Sequence, residues 1–237
     1  MTTRVGVVIF PGSNRDIDAF NGLRVAGAEP VELWHEHVSL DGVDAVLIPG
    51  GFAYGDYLRA GVIARFSPVM RSVAAFADGG GLVLGICNGF QVLTEAHLLP
   101  GALLRNRGLR FVGRQVAITP QRVDTPFTHA IGQARPLRMP VAHGEGCYFA
   151  DDASLDELER DGKVLFRYAD GSNPNGSLRD IAGVINARGN VAGLMPHPET
   201  AVEAVLGSDD GLGIIRSFVD SAAARANAAE PVVVGAR

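Results

Sequence analysis

The stretch of sequence that decides the fold is LVLGICNGFQVL, residues 82–93. It opens with an apolar run that is typical of a strand buried on both faces of a parallel sheet. Gly85 and Gly89 stand on either side of Cys87, and a helical pattern begins at Gly89. These glycines permit a sharp turn that lifts the cysteine side chain out of the strand. The stretch therefore predicts a strand, a tight turn and a helix, with a cysteine at the turn.

Upstream of this stretch, short apolar strands alternate with segments of helical spacing. The strand-like runs are residues 5–10, 31–34 and 43–48. Helical spacing follows the first run at residues 16–26 and returns after Pro68. This β-α-β-α order predicts a parallel sheet flanked by helices.

The second half of the chain is richer in extended segments. They are residues 111–119, 137–142, 164–168, 181–186 and 191–195. Arg188-Gly189-Asn190 would join the last two as a hairpin. We predict a single α/β domain with a largely parallel central sheet flanked by helices, and with extra antiparallel strands in the C-terminal half.

The end of the chain contains one more helical pattern, after which no regular spacing of apolar residues continues. The final helix would be opened by Ser208 or Asp209 and would be apolar along one face. Beyond about residue 223 the sequence is alanine-rich with one proline. We expect one domain at residues 1–222 and a flexible tail at residues 223–237.

Composition narrows the classes of function. The 21 basic and 26 acidic side chains give a formal net charge of −5, and the basic face that nucleic-acid binders usually present is missing from the sequence. No apolar stretch approaches the roughly 18 residues that a membrane span needs, and the first strand follows Met1 without a leader pattern. Two cysteines suit a reducing compartment. We expect a cytoplasmic protein.

Cys87 is the candidate nucleophile. The helix that follows it would point its N-terminal amides at the sulfur, which favours the thiolate form. The alternative is a small buried residue in a glycine-rich turn between strand and helix.

A thiolate nucleophile usually works with a base, and the base with a group that orients it. Six histidines are candidates. His197 stands in Met195-Pro196-His197-Pro198-Glu199, where the prolines favour extended backbone. Residues i and i+2 of an extended segment project to the same side, so Glu199 could reach the imidazole. The alternative is a proline-rich loop with incidental charge. His143, at the end of a predicted strand, is a second candidate for the site, and the other four are expected at the surface or in caps.

Acyl transfer also needs donors for a developing oxyanion. Gly50-Gly51 follows the strand at residues 43–48, at the carboxyl edge where open α/β sheets bind ligands. The amide of Asn88, next after Cys87, would be a second donor. A Gly-Gly pair also serves any tight turn, so it is the placement that carries this interpretation.

Several motifs together resemble a known family. The triad glutamine amidotransferases of class I, which have a flavodoxin-like fold, carry similar motifs in the same chain order: Gly85-Ile86-Cys87-Asn88-Gly89-Phe90-Gln91 after Pro49-Gly50-Gly51-Phe52, and His197-Pro198-Glu199 near the end. Longer strings are similar to the PurQ glutaminase subunits of phosphoribosylformylglycinamidine (FGAM) synthase: PGGFAYGDYLRAG, GICNGFQVL, AHGEG, NPNGS and GLMPHPE.

The resemblance implies a role for each matched residue. Cys87 would be the nucleophile, His197 the base and acid, and Glu199 the group that orients His197.

The same resemblance implies a set of oxyanion and substrate-binding residues. The amides of Gly51 and Asn88 would bind the oxyanion, with Gly50 in the same turn. Phe52 and Gln91 would lie near the substrate.

The resemblance also implies partners and a reaction. Glutamine would be hydrolysed through a Cys87 thioester, and the ammonia would pass to a large PurL-like synthetase subunit that is joined by a small PurS-like subunit. ATP and Mg²⁺ are expected on that synthetase subunit, which converts formylglycinamide ribonucleotide to the amidine in purine biosynthesis. The chain itself has no P-loop or nucleotide fingerprint, and we expect no cofactor or metal in it.

Two positions differ from the family pattern. Cys147 follows AHGEG where a polar residue is commoner, and Thr200 follows His-Pro-Glu where a basic residue is common. We expect Cys147 to be a packed, unreactive thiol.

Two other functions are open. A free-standing cysteine hydrolase similar to DJ-1 would usually have histidine in place of Asn88. A binding module without turnover would not need the whole set of catalytic groups.

Overall fold

A computed structural model of the chain describes residues 2–169 and 171–229. In chain order its strands and helices are β1 (Arg4–Ile9), α1 (Asp16–Val25), β2 (Glu29–Trp34), β3 (Ala45–Ile48), α2 (Pro68–Asp78), β4 (Leu82–Ile86), α3 (Asn88–Glu95), β5 (Ala102–Leu104), β6 (Val112–Pro120), β7 (Leu137–His143), β8 (Cys147–Phe149), α4 (Asp152–Arg160), β9 (Val164–Tyr168), β10 (Ile181–Ile185), β11 (Val191–Leu194) and α5 (Leu212–Ala229). Short 3₁₀ turns lie between several of them.

Nine of these strands form one mixed sheet in the order β2-β1-β3-β4-β11-β10-β9-β6-β7. The first five run parallel to one another. The remaining four are joined by antiparallel pairing, beginning with the β10–β11 hairpin. Strands β5 and β8 form a separate small sheet. The predicted α/β fold, with a parallel part and an antiparallel C-terminal part, is confirmed.

The parallel strands form the centre of the hydrophobic core. Every residue of β3, β4 and β11 is buried, which is why they read in sequence as almost continuous apolar runs rather than as alternating ones. Strand β7 instead alternates buried and more exposed residues, as expected of a strand with one face outside the core. The two patterns in the sequence therefore correspond to the two parts of the sheet.

The structure differs from the sequence-based prediction in several elements. The strands β5 and β8 and the helix α4 were not predicted. Helix α5 begins at Leu212, three or four residues after the predicted start. It also continues through the predicted boundary at residue 222. Residues 230–237 lie outside the described residues, so the flexibility of the tail stays a prediction. In the part of the chain that the structure describes, no helix has the length and apolar character needed to cross a membrane.

The sheet brings the predicted chemical groups to one edge. The carboxyl ends of the neighbouring strands β3, β4 and β11 lead directly into Gly50-Gly51, Cys87 and the segment around His197. The turn that follows β1 contacts the first of these segments, since the amide of Arg15 donates to the carbonyl of Gly50 at 3.2 Å. Ligand sites in open α/β sheets form at this edge.

Candidate active site

Cys87 occupies a strained turn between β4 and α3. Its backbone has φ +50° and ψ −105°, a combination that costs an L-residue on the order of 1–3 kcal/mol and tends to occur at functional sites. The flanking glycines are required by close packing. A β-carbon on Gly89 would overlap the carbonyl oxygen of Ile48, and one on Gly85 would lie 2.6 Å from a methyl carbon of Leu93. The tight glycine turn predicted from sequence is therefore a packing requirement on both sides of the cysteine.

The thiol of Cys87 is almost completely enclosed at the start of a helix. It is 4% exposed, and its Sγ lies 3.8 Å from the carbonyl oxygen of Ala142, at the end of β7. Helix α3 begins at the next residue, Asn88, so the free amides of its first turn lie beside the sulfur. The sulfur therefore lies at the N-terminus of a helix, as the sequence predicted.

His197 and Glu199 form a buried pair. Nδ1 of His197 lies 2.6 Å from Oε1 of Glu199, and both residues are 2% exposed. The sequence predicted that this segment is extended, but the structure shows a 3₁₀ turn at Pro198–Thr200. The amide of Ala201 donates to the carbonyl of Pro198 in this turn. That prediction of extended backbone was wrong because proline also fits the first position of a helical turn. The contact between the two side chains forms nevertheless.

The imidazole of His197 faces the cavity that Cys87 lines. One part of this cavity is lined by both residues together with Arg15, Gly51 and Phe111. Nε2 of His197 has no hydrogen-bond partner among the described residues. Buried polar nitrogens are normally paired, so this atom is available to a thiol or a substrate.

Charge in the site favours a protonated His197. Burial lowers the pKa of its imidazole, but the negative charges of Glu199 and Cys87 outweigh burial and raise that pKa to about 10. An imidazolium next to a thiolate is the ion pair on which cysteine hydrolases depend. The arrangement can therefore supply both a nucleophile and a proton.

The candidate oxyanion donors lie beside Cys87. Gly51 lines the cavity, and its φ of +156°, with neighbouring backbone too close for a β-carbon, requires glycine. Gly50 is also required, because a β-carbon there would lie 2.7 Å from Cε1 of His197. Neither the Gly51 amide nor the Asn88 amide donates a hydrogen bond within the described residues. Neither N–H is therefore committed to a partner within the described residues.

The two other predicted substrate residues also line the cavity. Gln91 and Phe52 lie there with Cys87. Side-chain amides hold this wall in place: Nδ2 of Asn88 donates to Oε1 of Gln91 at 2.8 Å, and Oδ1 of Asn88 accepts from the amide of Ala53 at 3.0 Å. Nε2 of Gln91 donates to the carbonyl of Glu145. The side chain of Asn88 therefore supports the wall, while its backbone amide remains free.

His143, the second histidine predicted for the site, lines the cavity with Cys87 but does not contact Glu199. Its Nδ1 donates to Oδ1 of Asn106 at 3.1 Å, and its Nε2 faces the side-chain amide of Asn175 at 3.5 Å. Burial, and then the charge of His197, lower the pKa of His143 to about 4. A neutral imidazole with a polar contact at each ring nitrogen helps to fix the loop after β7. The other four histidines lie elsewhere, three of them exposed and His35 half-buried.

Cys147 lies at the start of a strand rather than at the start of a helix, and it is outside the cavity that Cys87 lines. It begins β8, and its thiol donates to the carbonyl of Gly176 at 3.1 Å. Burial raises the pKa of this thiol, which makes it a poorer nucleophile at neutral pH. The thiol is half-buried, and its environment agrees with the predicted packed role.

Sequence reasoning missed several residues of the cavity wall. Asp56, Phe111 and Glu145 line it with Cys87. Asp56 and Glu145 were visible within PGGFAYGDYLRAG and AHGEG, but no spacing rule pointed to their meeting, since 89 residues separate them. Phe111 had only an aromatic side chain at the start of a predicted strand to mark it.

Comparison with known proteins gives the same family as the sequence motifs. Residues 2–209 match the model of the CobB/CobQ-like glutamine amidotransferase domain. The phosphoribosylformylglycinamidine synthase subunit PurQ of Rubrobacter xylanophilus is 61% identical over 219 residues, which cover 92% of this chain and 99% of that protein. The chain belongs to the PurQ family. A PurQ protein of Mycobacterium bovis is 58% identical over 222 residues, 93% of this chain and 98% of its own length.

Solved structures agree with membership of the PurQ family. A chain in the structure of PurLQS from Thermotoga maritima has a TM-score of 0.84 and 42% identity, covering 93% of this chain and 99% of that one. A GMP synthase-like protein from Thermoplasma acidophilum, at 17% identity and a TM-score of 0.67, shares the fold over 96% of this chain and 98% of its own. The resemblance seen in the motifs is confirmed over nearly the whole chain.

Changing Glu199 to glutamine should weaken catalysis without abolishing it. The amide keeps the size of the side chain but removes the charge that stabilises the imidazolium. We expect kcat to fall by less than the roughly 10⁴-fold that loss of the triad carboxylate costs serine proteases, because a thiolate needs less help from its base. The alkaline limb of the pH–rate profile should also move to lower pH, because the charge of Glu199 raises the pKa of His197.

The measurement is glutamate release across pH for the assembled enzyme. Glu203→Gln, an exposed change four residues further on, is the matched control and should leave the profile unchanged. Full activity with an unshifted limb in Glu199→Gln would contradict the role of Glu199.

Proposed function

We propose that this chain is the glutaminase subunit of an FGAM synthase, hydrolysing glutamine at Cys87 and delivering ammonia to a synthetase partner. One observation carries the proposal most directly. A cysteine held at φ +50° lines the same cavity as His197, whose imidazole is paired with Glu199 at 2.6 Å. Membership of the PurQ family supports the choice of glutamine as substrate.

The residues divide the chemistry as follows. The Cys87 thiolate attacks the carbon of the side-chain amide, and the oxyanion that forms is bound by the amides of Gly51 and Asn88. His197 protonates the departing nitrogen, so that ammonia leaves and a thioester remains. His197 then takes a proton from water, which attacks the thioester and releases glutamate and the thiolate. Glu199 orients the imidazole and stabilises its charged form.

The partner would be a large PurL-like synthetase subunit with a small PurS-like subunit. The name of the Thermotoga maritima structure, PurLQS, supports an assembly of this kind. We place ATP and Mg²⁺ on the PurL-like partner and no cofactor in this chain. A nucleophile that must remain a free thiol supports a location in the reducing cytoplasm.

A free-standing cysteine hydrolase is the competing function. A simple hydrolase would release the ammonia to solvent, whereas the proposed amidotransferase delivers it to the synthetase partner. Asn88, rather than histidine, follows the cysteine, and the base comes from the end of β11, which is the arrangement predicted for the amidotransferase family.

The two functions are separated by following the nitrogen. The complex would be assembled from this chain and the PurL-like and PurS-like subunits. It would then be given glutamine labelled with ¹⁵N in the side-chain amide, in the presence of unlabelled ammonium at a concentration too low to support amidine formation by itself. We expect the amidine product to contain mainly ¹⁵N. An amidine carrying nitrogen from bulk ammonium would contradict delivery within the complex, and an absence of glutamate release would contradict the glutaminase assignment.

A further inference from the structure

Two carboxylates line the end of the cavity away from His197. The part of the cavity that holds Asp56 and Glu145 also includes Cys87 and Gln91. The adjoining part is lined by His197, whose Nε2 is buried and unpartnered among the described residues. The two parts share Cys87 and Gly51. A molecule bound at the sulfur therefore has a proton donor on one side and two acidic groups on the other.

The acidic pair is electrostatically unsatisfied in the unliganded protein. Burial and the neighbouring charge of Glu145 raise the pKa of Asp56 to about 6, so the two carboxylates disfavour each other. Asp56 has no ion-pair partner among the described residues. The guanidinium of Arg105 approaches Glu145 only to 3.8 Å and is 76% exposed. A cation placed between the two carboxylates would relieve this repulsion.

The backbone is strained where it holds Asp56. Tyr54 and Asp56 have φ of +55° and +53°, with Gly55 at +71° between them. Left-handed conformations are unfavourable for residues with side chains, so a short run of them needs a compensating reason. The turn places the Asp56 carboxylate beside Asn88, whose Nδ2 donates to it at 3.2 Å. The carboxylate thereby reaches the cavity although its neighbour Tyr57 is exposed.

We propose that Asp56 and Glu145 together recognise the α-ammonium group of glutamine. This inference rests on the proposed glutaminase function. In an extended glutamine the α-nitrogen lies about 5 Å from the amide carbon, so it must lie in the same cavity as Cys87. The acidic end is the part of that cavity that complements a cation, and it lies away from the imidazolium of His197. The pair would select free glutamine over amides that have no charged amino group.

Asp56 has a competing structural role that the experiment must separate. It accepts from Asn88, which neighbours the nucleophile, so loss of Asp56 could act through the cavity wall. Asp56→Asn keeps an oxygen acceptor for Asn88 and removes only the charge. Glu145→Gln likewise keeps an acceptor for the amide of Ala60, which donates to Glu145 at 3.2 Å. Both substitutions preserve size.

The test compares two substrates in the assembled complex. Hydrolysis is measured as glutamate formed from L-glutamine and as glutarate formed from glutaramate, which is glutamine without its α-amino group. The unmodified complex should prefer glutamine. Each variant should raise KM for glutamine by about 10- to 100-fold, as expected for loss of a charged hydrogen bond, while kcat/KM for glutaramate changes little. Glu32→Gln, an exposed change in β2, is the charge control and should preserve the preference.

Each result has one meaning. A preference for glutamine that collapses in both variants supports the proposal. Equal losses for both substrates would show that Asp56 and Glu145 only support the wall, and an unchanged preference would exclude them from recognition; either overturns the proposal while leaving the glutaminase intact. Absence of glutamate formation from glutamine by the unmodified complex would instead overturn the proposed function.

Discussion

Replacing Cys87 with alanine should abolish glutamine-dependent amidine formation by the assembled synthase, while formation from added ammonium salt continues. Among the described residues that line the cavity, Cys87 is the only thiol or hydroxyl, so no neighbour can form the covalent intermediate in its place. Loss of the nucleophile costs subtilisin on the order of 10⁶-fold in kcat. We expect a loss of at least about 10⁴-fold here. The synthetase reaction itself does not use this cysteine.

The substitution should leave the fold intact. Alanine keeps the β-carbon, so the backbone at φ +50° carries the same strain as before, and the flanking glycines still permit the turn. The unfolding midpoint of the chain and its co-elution with the synthetase check this directly. Cys147→Ala is the matched control and should keep glutamine-dependent activity within about twofold. Substantial glutamine-dependent turnover in Cys87→Ala would show that the nucleophile has been misassigned.

Local patterns predicted the elements that carry the chemistry because packing constrains them locally. Gly85 and Gly89 are needed at their positions by contacts with Leu93 and with the carbonyl of Ile48, so the turn around Cys87 leaves a clear signal in the sequence. The buried strands on either side of it can also be recognised in the sequence, because strands covered on both faces are apolar throughout. Strand β9 begins and ends at the predicted residues.

Other elements leave no such signal. Strands β5 and β8 contain three residues each, which is too short to show a period of two. Helix α4 buries only Leu155 and Leu158, so its apolar stripe is too narrow to recognise. Its N-cap Asp151, which accepts from the amide of Ser154, is one signal that could have found it.

The rest of the site is assembled from distant segments. Asn106 and His143 are 37 residues apart, and Asn175 follows 32 residues after His143. Their hydrogen bonds fix the loop that contains Glu145, but no periodicity links them. Asp56 follows β3 in the parallel part of the sheet, and Glu145 follows β7 in the antiparallel part. Only the tertiary fold brings the two residues to the same cavity. Contacts of this kind depend on the tertiary fold and cannot be read from the spacing of residues in one sequence.

The isolated chain should be a poor glutaminase, and the synthetase partner with its ligands should raise kcat/KM by about 10² to 10³-fold. This is the effect of gaining one oxyanion donor. The donor in question is the amide of Gly51. The carbonyl of Gly50 in the same peptide accepts from the amide of Arg15 at 3.2 Å, and in a trans peptide the N–H points the opposite way. This single hydrogen bond therefore helps to set the direction of the Gly51 amide.

The opposite orientation of that peptide would lose the contact with Arg15. Turning it over would break one hydrogen bond, worth roughly 0.5–1.5 kcal/mol net, and glycine at both positions keeps the alternative φ and ψ accessible. The next residue, Phe52, is 43% exposed, and Tyr57 and Leu58 of the same segment are 73% and 93% exposed. A partner that binds these apolar side chains can bias the peptide toward the orientation that serves the oxyanion. Glutamine would then be hydrolysed mainly when the ammonia can be used.

The decisive measurement pairs two reactions of the same thiol. Glutamate release and alkylation of Cys87 by iodoacetamide are followed in the isolated chain, in the complex, and in the complex with the nucleotide and substrate of the synthetase. Alkylation is a direct displacement that forms no oxyanion, so a partner that acts through the Gly51 amide should accelerate glutamate release and leave alkylation nearly unchanged. Equal kcat/KM for glutamine in all three states would contradict gating while leaving the glutaminase assignment intact. A parallel rise in both rates would instead place the effect of the partner on access to the thiol or on its ionisation, because only those two changes are common to both reactions.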